Sequence, residues 1–175
     1  LLFNRINFLK SLNMRSIITP ITDKHIERAE QLIQRSNQFN LRTQRLSHSE
    51  LKKRMTDASF YTFCIQLNDK FGDLGIIAVV SCSVSSNEIF IDEFVMSCRV
   101  LQRGVEELIF NHLIDFAIKK KIKTIGGEYI ETKKNGLVKD LFKKFHFKKH
   151  QEKWIYNLHG ANIFKNHIKT EVINE

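Results

Sequence analysis

The chain has 175 residues, of which 42% are hydrophobic and 14 are phenylalanine, with one proline and 7 glycines. This composition excludes an intrinsically disordered protein and predicts one domain with a buried core. The formal net charge of +9 favours an anionic partner, such as a nucleic acid, an acidic protein or a phosphorylated small molecule, although a solvated lysine-rich surface gives the same charge.

The N-terminal segment, residues 1–13, lacks the long apolar stretch and the cleavage site of a signal peptide. We interpret it as a leader or as the remnant of an upstream domain, and we place one domain at residues 14–158. Ser47 and Glu50 match the capping box that begins a helix. The predicted elements of the first half are a strand at 15–21, a helix from residue 23, a helix from 47 to about 56, and strands at 61–67, 74–84 and 88–97.

The second half contains the clearest helix, because apolar residues recur at helical spacing from Val105 to Ala117. His112 lies on this apolar stripe, which favours a core histidine over a catalytic one. The order of hairpins and crossover helices predicts an α/β (α+β) fold, with a mixed, mostly antiparallel sheet of six to seven strands and about four helices. The remaining predicted elements are a strand at 123–130, a helix at 137–145, one or two strands within 147–158, and a polar tail at 159–175.

The cysteines indicate the cellular compartment. An odd number, Cys64, Cys82 and Cys98, without a secretion signal is typical of a reduced, cytoplasmic protein. No apolar run in the sequence is long enough to span a membrane. No group of cysteines and histidines has the spacing of metal ligands, so the sequence predicts no metal site.

The segment from Phe94 to Leu113 joins a predicted strand to the long helix and has the properties of an anion site. Gly104 permits a tight turn or a close backbone approach to a ligand, and Arg103 adds a positive charge. The first amides of the helix have no partner within it and point towards any bound anion. The segment therefore suits the phosphopantetheine part of an acyl carrier, but a glycine at an ordinary strand-to-helix turn gives the same pattern.

Together with a following strand and the residues Asn135, Val138, Leu141 and Phe142, this segment resembles the Gcn5-related N-acetyltransferase (GNAT) superfamily. The resemblance covers roughly residues 15–158. It implies that backbone amides near the end of the fourth strand and around the glycine turn hold the pantetheine and pyrophosphate of acyl-CoA, and that an asparagine contacts the cofactor arm. The residues at those positions are Val95, Ser97, Arg103, Gly104, Val105 and Asn135.

Several motifs in the same order also resemble the C-terminal GNAT-like domain of FkbH-like proteins. This resemblance implies transfer of a glyceryl unit from a phosphorylated three-carbon donor to an acyl carrier protein, with a phosphatase-type domain as partner. The chain lacks the DxDx[TV] motif of that phosphatase domain, so it is a fragment or a free-standing relative. The motifs are Asn37 to Leu41 with Thr43, Phe71 to Asp73 with Gly75, Phe94 to Val100, Arg103 to Glu106, Gly127 to Ile130 with Thr132, and Lys134 with Asn135.

Two residues depart from the acetyltransferase pattern. Glu106 stands where a glycine or alanine is usual, and its carboxylate repels a pyrophosphate, so we expect weaker binding of free CoA than of a carrier arm with one phosphodiester. The basic surface suits an acidic carrier protein. Phe142 stands where many acetyltransferases have a tyrosine that protonates the leaving thiolate, and Tyr129 or Cys98 is left as a substitute.

Glu93 and Glu128, near the ends of neighbouring predicted strands, are the candidate general bases. For each, the alternative is a solvent-facing strand residue. Cys98 is a candidate nucleophile, since a neighbouring arginine and a helix end are the surroundings in which reactive cysteines occur, and the alternative is an inert thiol. The sequence therefore predicts an acyltransferase using acyl-CoA or an acyl carrier protein. The alternative is a non-catalytic module that docks a carrier protein or partner domain, whereas nucleic-acid binding rests on charge alone.

Overall fold

Eight strands and five α-helices make up the described part of the chain, residues 2–174 of a computed structural model. The helices are α1 (Leu2–Ser11), α2 (Asp23–Arg35), α3 (His48–Thr56), α4 (Val105–Lys119) and α5 (Leu141–Lys144). The strands are β1 (Arg15–Pro20), β2 (Phe60–Asp69), β3 (Gly72–Val84), β4 (Glu88–Met96), β5 (Thr124–Glu128), β6 (Lys148–His150), β7 (Lys153–Asn157) and β8 (Lys169–Val172). Single 3₁₀ turns lie at Cys98–Val100 and Gly136–Val138.

All eight strands form one mixed sheet in the order β6-β7-β5-β4-β3-β2-β1-β8. Neighbouring strands are antiparallel except for the β4–β5 and β1–β8 pairs, which are parallel. The predicted fold class is therefore confirmed. The predicted number of six to seven strands is too small, because β8 lies in the segment that the sequence predicts as a polar tail.

The strand β8 has no apolar pattern because all four of its residues are exposed. Its order comes from backbone pairing with β1, in which Arg15 lies opposite Lys169. Side-chain bonds also hold this part of the chain: Asn111 of α4 donates from Nδ2 to the Phe164 oxygen over 2.8 Å and accepts the Phe164 N–H over 2.7 Å. Pairing of this kind depends on contacts between distant residues and leaves no local signal in the sequence.

Two apolar cores lie on the two faces of the sheet. The larger core packs α4 and α5 against the sheet, with Phe63, Phe94, Phe110, Phe142 and Phe145 all 0–1% exposed. The smaller core lies beneath α2 and α3. The helix α1, in the segment predicted as a leader, buries none of its residues, although Leu12 and Met14 directly after it are each 1% exposed.

The strands β4 and β5 pair over only four positions and then diverge. The paired residues run from Glu88 opposite Thr124 to Ile91 opposite Gly127. On its other edge, β4 has a bulge against β3, because Ile91 lies opposite Cys82 while Glu93 lies opposite Ser81. The second half of β4 therefore has one edge that β5 does not cover, and this edge positions the candidate site.

Candidate active site

The connection between α2 and α3 fills the gap where β4 and β5 diverge. Asn40 forms an isolated antiparallel bridge with Val95 of β4. The Met96 N–H donates to the Phe39 oxygen over 3.3 Å, and the Ile130 N–H donates to the Leu41 oxygen over 2.9 Å. We call residues 38–41 the bridging segment, because it contacts both the end of β4 and the chain after β5.

Asn135 holds the bridging segment in place. Its Nδ2 donates to the Asn40 and Ile130 carbonyl oxygens, each over 2.9 Å. Its Oδ1 accepts the Thr132 N–H over 2.8 Å and the Tyr129 hydroxyl over 3.2 Å. Asn135 is fully buried, and both its donor hydrogens and both its acceptor positions are used within the chain. The predicted contact of Asn135 with a cofactor arm requires these bonds to break.

Glu93 is a buried carboxyl group beside this gap, only 1% exposed. Its Oε2 accepts the Leu46 N–H over 3.1 Å, while Oε1 is buried without a partner. Burial raises the pKa of Glu93, against the opposing effects of the Leu46 N–H and of Arg45, Arg42 and Arg54. The alternative of a solvent-facing residue is wrong for Glu93, and a buried carboxyl group with a raised pKa is a candidate general base.

Two further buried polar atoms in the connection after the bridging segment lack hydrogen-bond partners, namely Arg42 Nε and Thr43 Oγ1. The backbone N–H of Thr43 is bonded to Asn40 Oδ1 over 2.9 Å, which ties Thr43 to the bridging segment.

Arg42 forms ion pairs with one candidate base, Glu128, and with Asp92, the residue before the other candidate base. Its guanidinium lies 3.3 Å from Glu128 Oε2 and 3.5 Å from Asp92 Oδ1. Asp92 is also held by Arg54 at 2.8 Å and by the Ser83 hydroxyl at 2.6 Å. The side chain of Glu128 is 33% exposed, so Glu128 lies at the rim of this cluster, whereas Glu93 is buried and makes no ion pair with it. The structure thus brings both predicted bases to one region of the sheet.

An open cavity of about 950 Å³ lies at the end of β4, between α2 and the loop that follows β5. It contains Ser97 and Cys98 from the predicted site. The Cys98 thiol is exposed and lies 3.4 Å from Gln38 Oε1, to which it donates. Another cavity, of about 570 Å³, lies over β1, β2 and β8 and contains no predicted site residue.

The start of α4 forms a separate group with Arg103, Gly104 and Val105. Gly104 has φ 91°, a left-handed conformation that favours glycine, and Asn166 Nδ2 donates to its oxygen over 2.6 Å. Arg103 forms an ion pair with Asp69 over 2.8 Å. Although burial alone would raise the pKa of Asp69, the Phe71 N–H and the Arg103 guanidinium lower it.

Glu106 occupies the first turn of α4 and is 7% exposed, with Oε2 unpartnered. Burial raises the pKa of Glu106. The pocket at this helix start measures about 300 Å³ and is lined by α1 and by residues 165–167 as well as by Arg103 and Gly104. The carboxyl group that lines this pocket is that of Glu107, so the predicted pyrophosphate site contains a carboxyl group and lies beside α1.

The predicted site residues thus fall into two places. Glu93, Val95, Ser97, Cys98, Glu128 and Asn135 lie around the end of β4, whereas Arg103, Gly104 and Val105 lie at the start of α4. Val95 and Val105 are both fully buried, so only their backbones are placed to meet a ligand. Sequence reasoning did not assign a role to Asn40, Arg42 or Thr43, although all three lie in or beside the motif at residues 37–43.

Comparison with known proteins identifies the fold. No protein-family model and no curated protein matches the chain. Among solved structures, the ribosomal-protein-S18-alanine N-acetyltransferase of Escherichia coli matches with a TM-score of 0.63 and 14% identity, over 82% of this chain and 94% of that one. The chain has the GNAT fold.

Two other structures support this assignment. The spermidine N-acetyltransferase of Vibrio cholerae, solved with CoA and spermine, gives a TM-score of 0.63 at 10% identity, over 83% of this chain and 96% of that one. The GCN5 structure from Tetrahymena gives 0.57 at 11% identity, over 87% and 100%. The predicted GNAT resemblance is confirmed for the fold, and the finer resemblance to FkbH-like proteins stays a prediction.

Within this GNAT fold, no helix of residues 2–174 is long and apolar enough to cross a membrane. In the same described range, no group of three or more histidine, cysteine, aspartate or glutamate side chains is arranged to hold a metal ion.

Proposed function

We propose that the chain is a GNAT-type acyltransferase that takes its acyl group from a thioester, either acyl-CoA or the phosphopantetheine arm of a carrier protein. The observation that carries this proposal is the Glu93 carboxyl group. It lies in a GNAT fold beside the divergence of β4 and β5, nearly inaccessible to solvent, with one oxygen unpartnered. A buried base with a raised pKa is what amine acylation needs.

In the proposed reaction, the acceptor amine attacks the thioester carbonyl carbon. The new carbon–nitrogen bond forms, the carbon–sulfur bond breaks, and Glu93 takes the proton that the nitrogen loses. Backbone amides at the end of β4 polarise the carbonyl oxygen. Phe142 has no proton to donate, so the leaving thiolate takes one from water or from Tyr129, whose hydroxyl already donates to Asn135.

This proposal has one structural requirement. An arm that binds along the free edge of β4 must replace the bridging segment, because the Met96 N–H is bonded to Phe39 and Asn40 lies against Val95. Binding of the donor therefore includes an outward movement of residues 38–41. Glu128, paired with Arg42 at the rim of the cluster, is the alternative base.

The test is thiol release from acetyl-CoA and from an acetylated carrier protein, with a panel of amine acceptors. We expect Glu93→Gln to lower kcat by about 100-fold with little change in KM, since Gln keeps the shape and the acceptor for the Leu46 N–H but takes no proton. Glu128→Gln should have a smaller effect. Absence of turnover by the unmodified chain with every thioester would refute the proposal.

A second candidate is a non-catalytic module that docks an acidic carrier protein. The specific observation in its favour is that the bridging segment and the Asn135 bonds together close the gap between β4 and β5. Calorimetric titration separates the two functions. The docking module should bind a holo carrier protein and not free CoA, whereas micromolar binding of CoA contradicts it.

A further inference from the structure

The cavity at the end of β4 is lined by four cationic side chains from two separate parts of the chain. Arg28 and Arg35 come from α2, and Lys133 and Lys134 come from the loop after β5. None of the four forms an ion pair with any residue in the range 2–174. No carboxylate of that range lines the cavity. This concentration of like charge is therefore uncompensated.

Neutral hydrogen-bonding groups complete the lining. Ser97, Asn37, Gln38 and Gln31 all contribute to the wall, and Gln31 accepts a hydrogen bond from the Arg28 guanidinium. Guanidinium and ammonium groups beside amide and hydroxyl groups are the usual recognition chemistry for a phosphate group. A volume of about 950 Å³ is large enough for a small organic molecule attached to that phosphate.

The start of α4 is a poorer anion site than this cavity. There, the pocket is lined by the Glu107 carboxyl group, and Arg103 is already paired with Asp69. The cavity instead has four cations without carboxylate partners and lies on the α2 side of the sheet. An anion is expected where several cations line one cavity that no carboxylate lines, since a bound counter-charge lowers their electrostatic energy.

We infer that the cavity between α2, the end of β4 and residues 133–134 binds a phosphate ester, with the phosphate among Arg28, Arg35, Lys133 and Lys134. The ester carbon chain extends towards Cys98 and Gln38 at the same wall. Two sources share this chemistry: a free phosphorylated metabolite and the phosphopantetheine arm of a carrier protein. The inference concerns binding alone, so it stands even if the chain has no acyltransferase activity.

The experiment is calorimetric titration of the full chain with two matched ligand pairs, phosphopantetheine against pantetheine and glycerol 3-phosphate against glycerol. We expect the phosphorylated member of at least one pair to bind at least tenfold more tightly than its partner. A difference in the phosphopantetheine pair identifies the carrier arm as the ligand, and a difference in the glycerol 3-phosphate pair identifies a free phosphorylated metabolite. Equal binding of both members in both pairs, or no binding of any member, overturns the inference.

A matched pair of double variants tests the location. Lys133→Ala with Lys134→Ala removes two charges from the cavity, and Lys148→Ala with Lys149→Ala removes two charges from the exposed strand β6. We expect the first variant to weaken phosphate-ester binding at least tenfold and the second to weaken it less than twofold. Equal losses of affinity in the two double variants would mean that only the net charge matters, and would contradict a site in the cavity. Binding of DNA in preference to either phosphate ester would also contradict it.

Discussion

The side-chain amide of Asn135 donates to the backbone oxygen of Asn40 over 2.9 Å and so joins residues 95 positions apart in the chain. Both residues are fully buried. The bond fastens the bridging segment to the loop that follows β5, and it does so at the place where β4 and β5 separate. The segment is therefore held by side-chain bonds as well as by its bridge to Val95.

Replacing Asn135 by alanine should both destabilise the fold and loosen the bridging segment. Asn135→Ala leaves the Asn40 and Ile130 oxygens without this donor, and each unsatisfied buried group costs about 1–3 kcal/mol. We expect a loss of about 2–4 kcal/mol in the free energy of unfolding, measured in urea. Amide hydrogen exchange at Met96 and Ile130, which donate to the segment, should become faster.

The matched control is Asn157→Ala, since Asn157 is exposed and accepts one local hydrogen bond from His159. It should change the stability by less than about 0.5 kcal/mol. If Asn135→Ala is destabilised but exchange at Met96 stays as slow as in the unmodified chain, then the bridge to Val95 holds the segment without help from Asn135.

Burial of Glu93 should lower the free energy of unfolding at neutral pH. Its pKa in the folded chain is above its ordinary value of 4.5, so the folded state holds this proton more tightly than the unfolded state. The contribution of protonated Glu93 to the free energy of unfolding is fully present below pH 4.5. It is lost as the pH rises through the pKa of the folded state. Glu93→Gln removes that loss, and at pH 7 it should be more stable than the unmodified chain.

The measurement is urea unfolding of both chains at pH 4 and at pH 7, where the difference should vanish at the lower pH. Glu152→Gln, at an exposed turn position, serves as the control and should show no difference at either pH. A Glu93→Gln chain that is less stable than the unmodified one at pH 7 would mean that the arginines around Glu93 outweigh its burial.

Local patterns in the sequence predicted the elements that carry their own signals. The Ser47–Glu50 capping box is present as predicted, with the Ser47 N–H donating to Glu50 over 2.8 Å. The apolar stripe from Val105 correctly predicts α4, and His112 is a buried core residue, as its place on the stripe indicated. These features depend on residues a few positions apart, so the sequence pattern and the structure report the same contacts.

The parts that the sequence did not predict depend on distant contacts. Nothing in the polar stretch at 37–43 indicates that Asn40 pairs with Val95 or that Asn135 bonds to its oxygen. Glu93 is buried because the connection between α2 and α3 covers it. Its Oε2 accepts a hydrogen bond from the N–H of Leu46, 47 positions away in the chain. A carboxyl group in a strand has the same local pattern whether a loop covers it or not.

His112 should make the stability depend on pH in the opposite direction from Glu93. Burial lowers its pKa from 6.5 to about 4, and its Nε2 lies 2.7 Å from the Tyr61 hydroxyl. The folded state therefore disfavours the protonated ring. The contribution of neutral His112 to the free energy of unfolding is fully present above pH 6.5 and is lost as the pH falls towards 4. Between pH 7 and pH 5 the loss should be about 2 kcal/mol.

Urea unfolding of His112→Gln at the two pH values tests this, because glutamine can still meet the Tyr61 hydroxyl but does not titrate. The variant should lose clearly less stability on acidification than the unmodified chain. His150→Gln, on the exposed strand β6, should keep the full loss. Equal losses in all three chains would show that another group determines the acid sensitivity.

Phe142 packs so closely on Gly127 of β5 that a Cβ at this glycine would overlap the phenyl ring. Gly127→Ala should therefore lower the free energy of unfolding by about 1–3 kcal/mol, the usual cost of overpacking a core. Phe142→Leu alone should also destabilise, since it leaves a cavity. In the double variant the smaller leucine side chain leaves room for the new methyl group. The loss of unfolding free energy in the double variant should therefore be smaller, by at least about 1 kcal/mol, than the sum of the losses in the two single variants.

The neighbouring glycine provides the control for this cycle. A Cβ at Gly126 would meet the end of the Lys153 side chain and the Glu88 carboxyl group, both of which are flexible surface groups that can move. Gly126→Ala should therefore cost less than about 1 kcal/mol and should not couple to Phe142→Leu. Additive losses for Gly127→Ala and Phe142→Leu would show that the ring has room to shift.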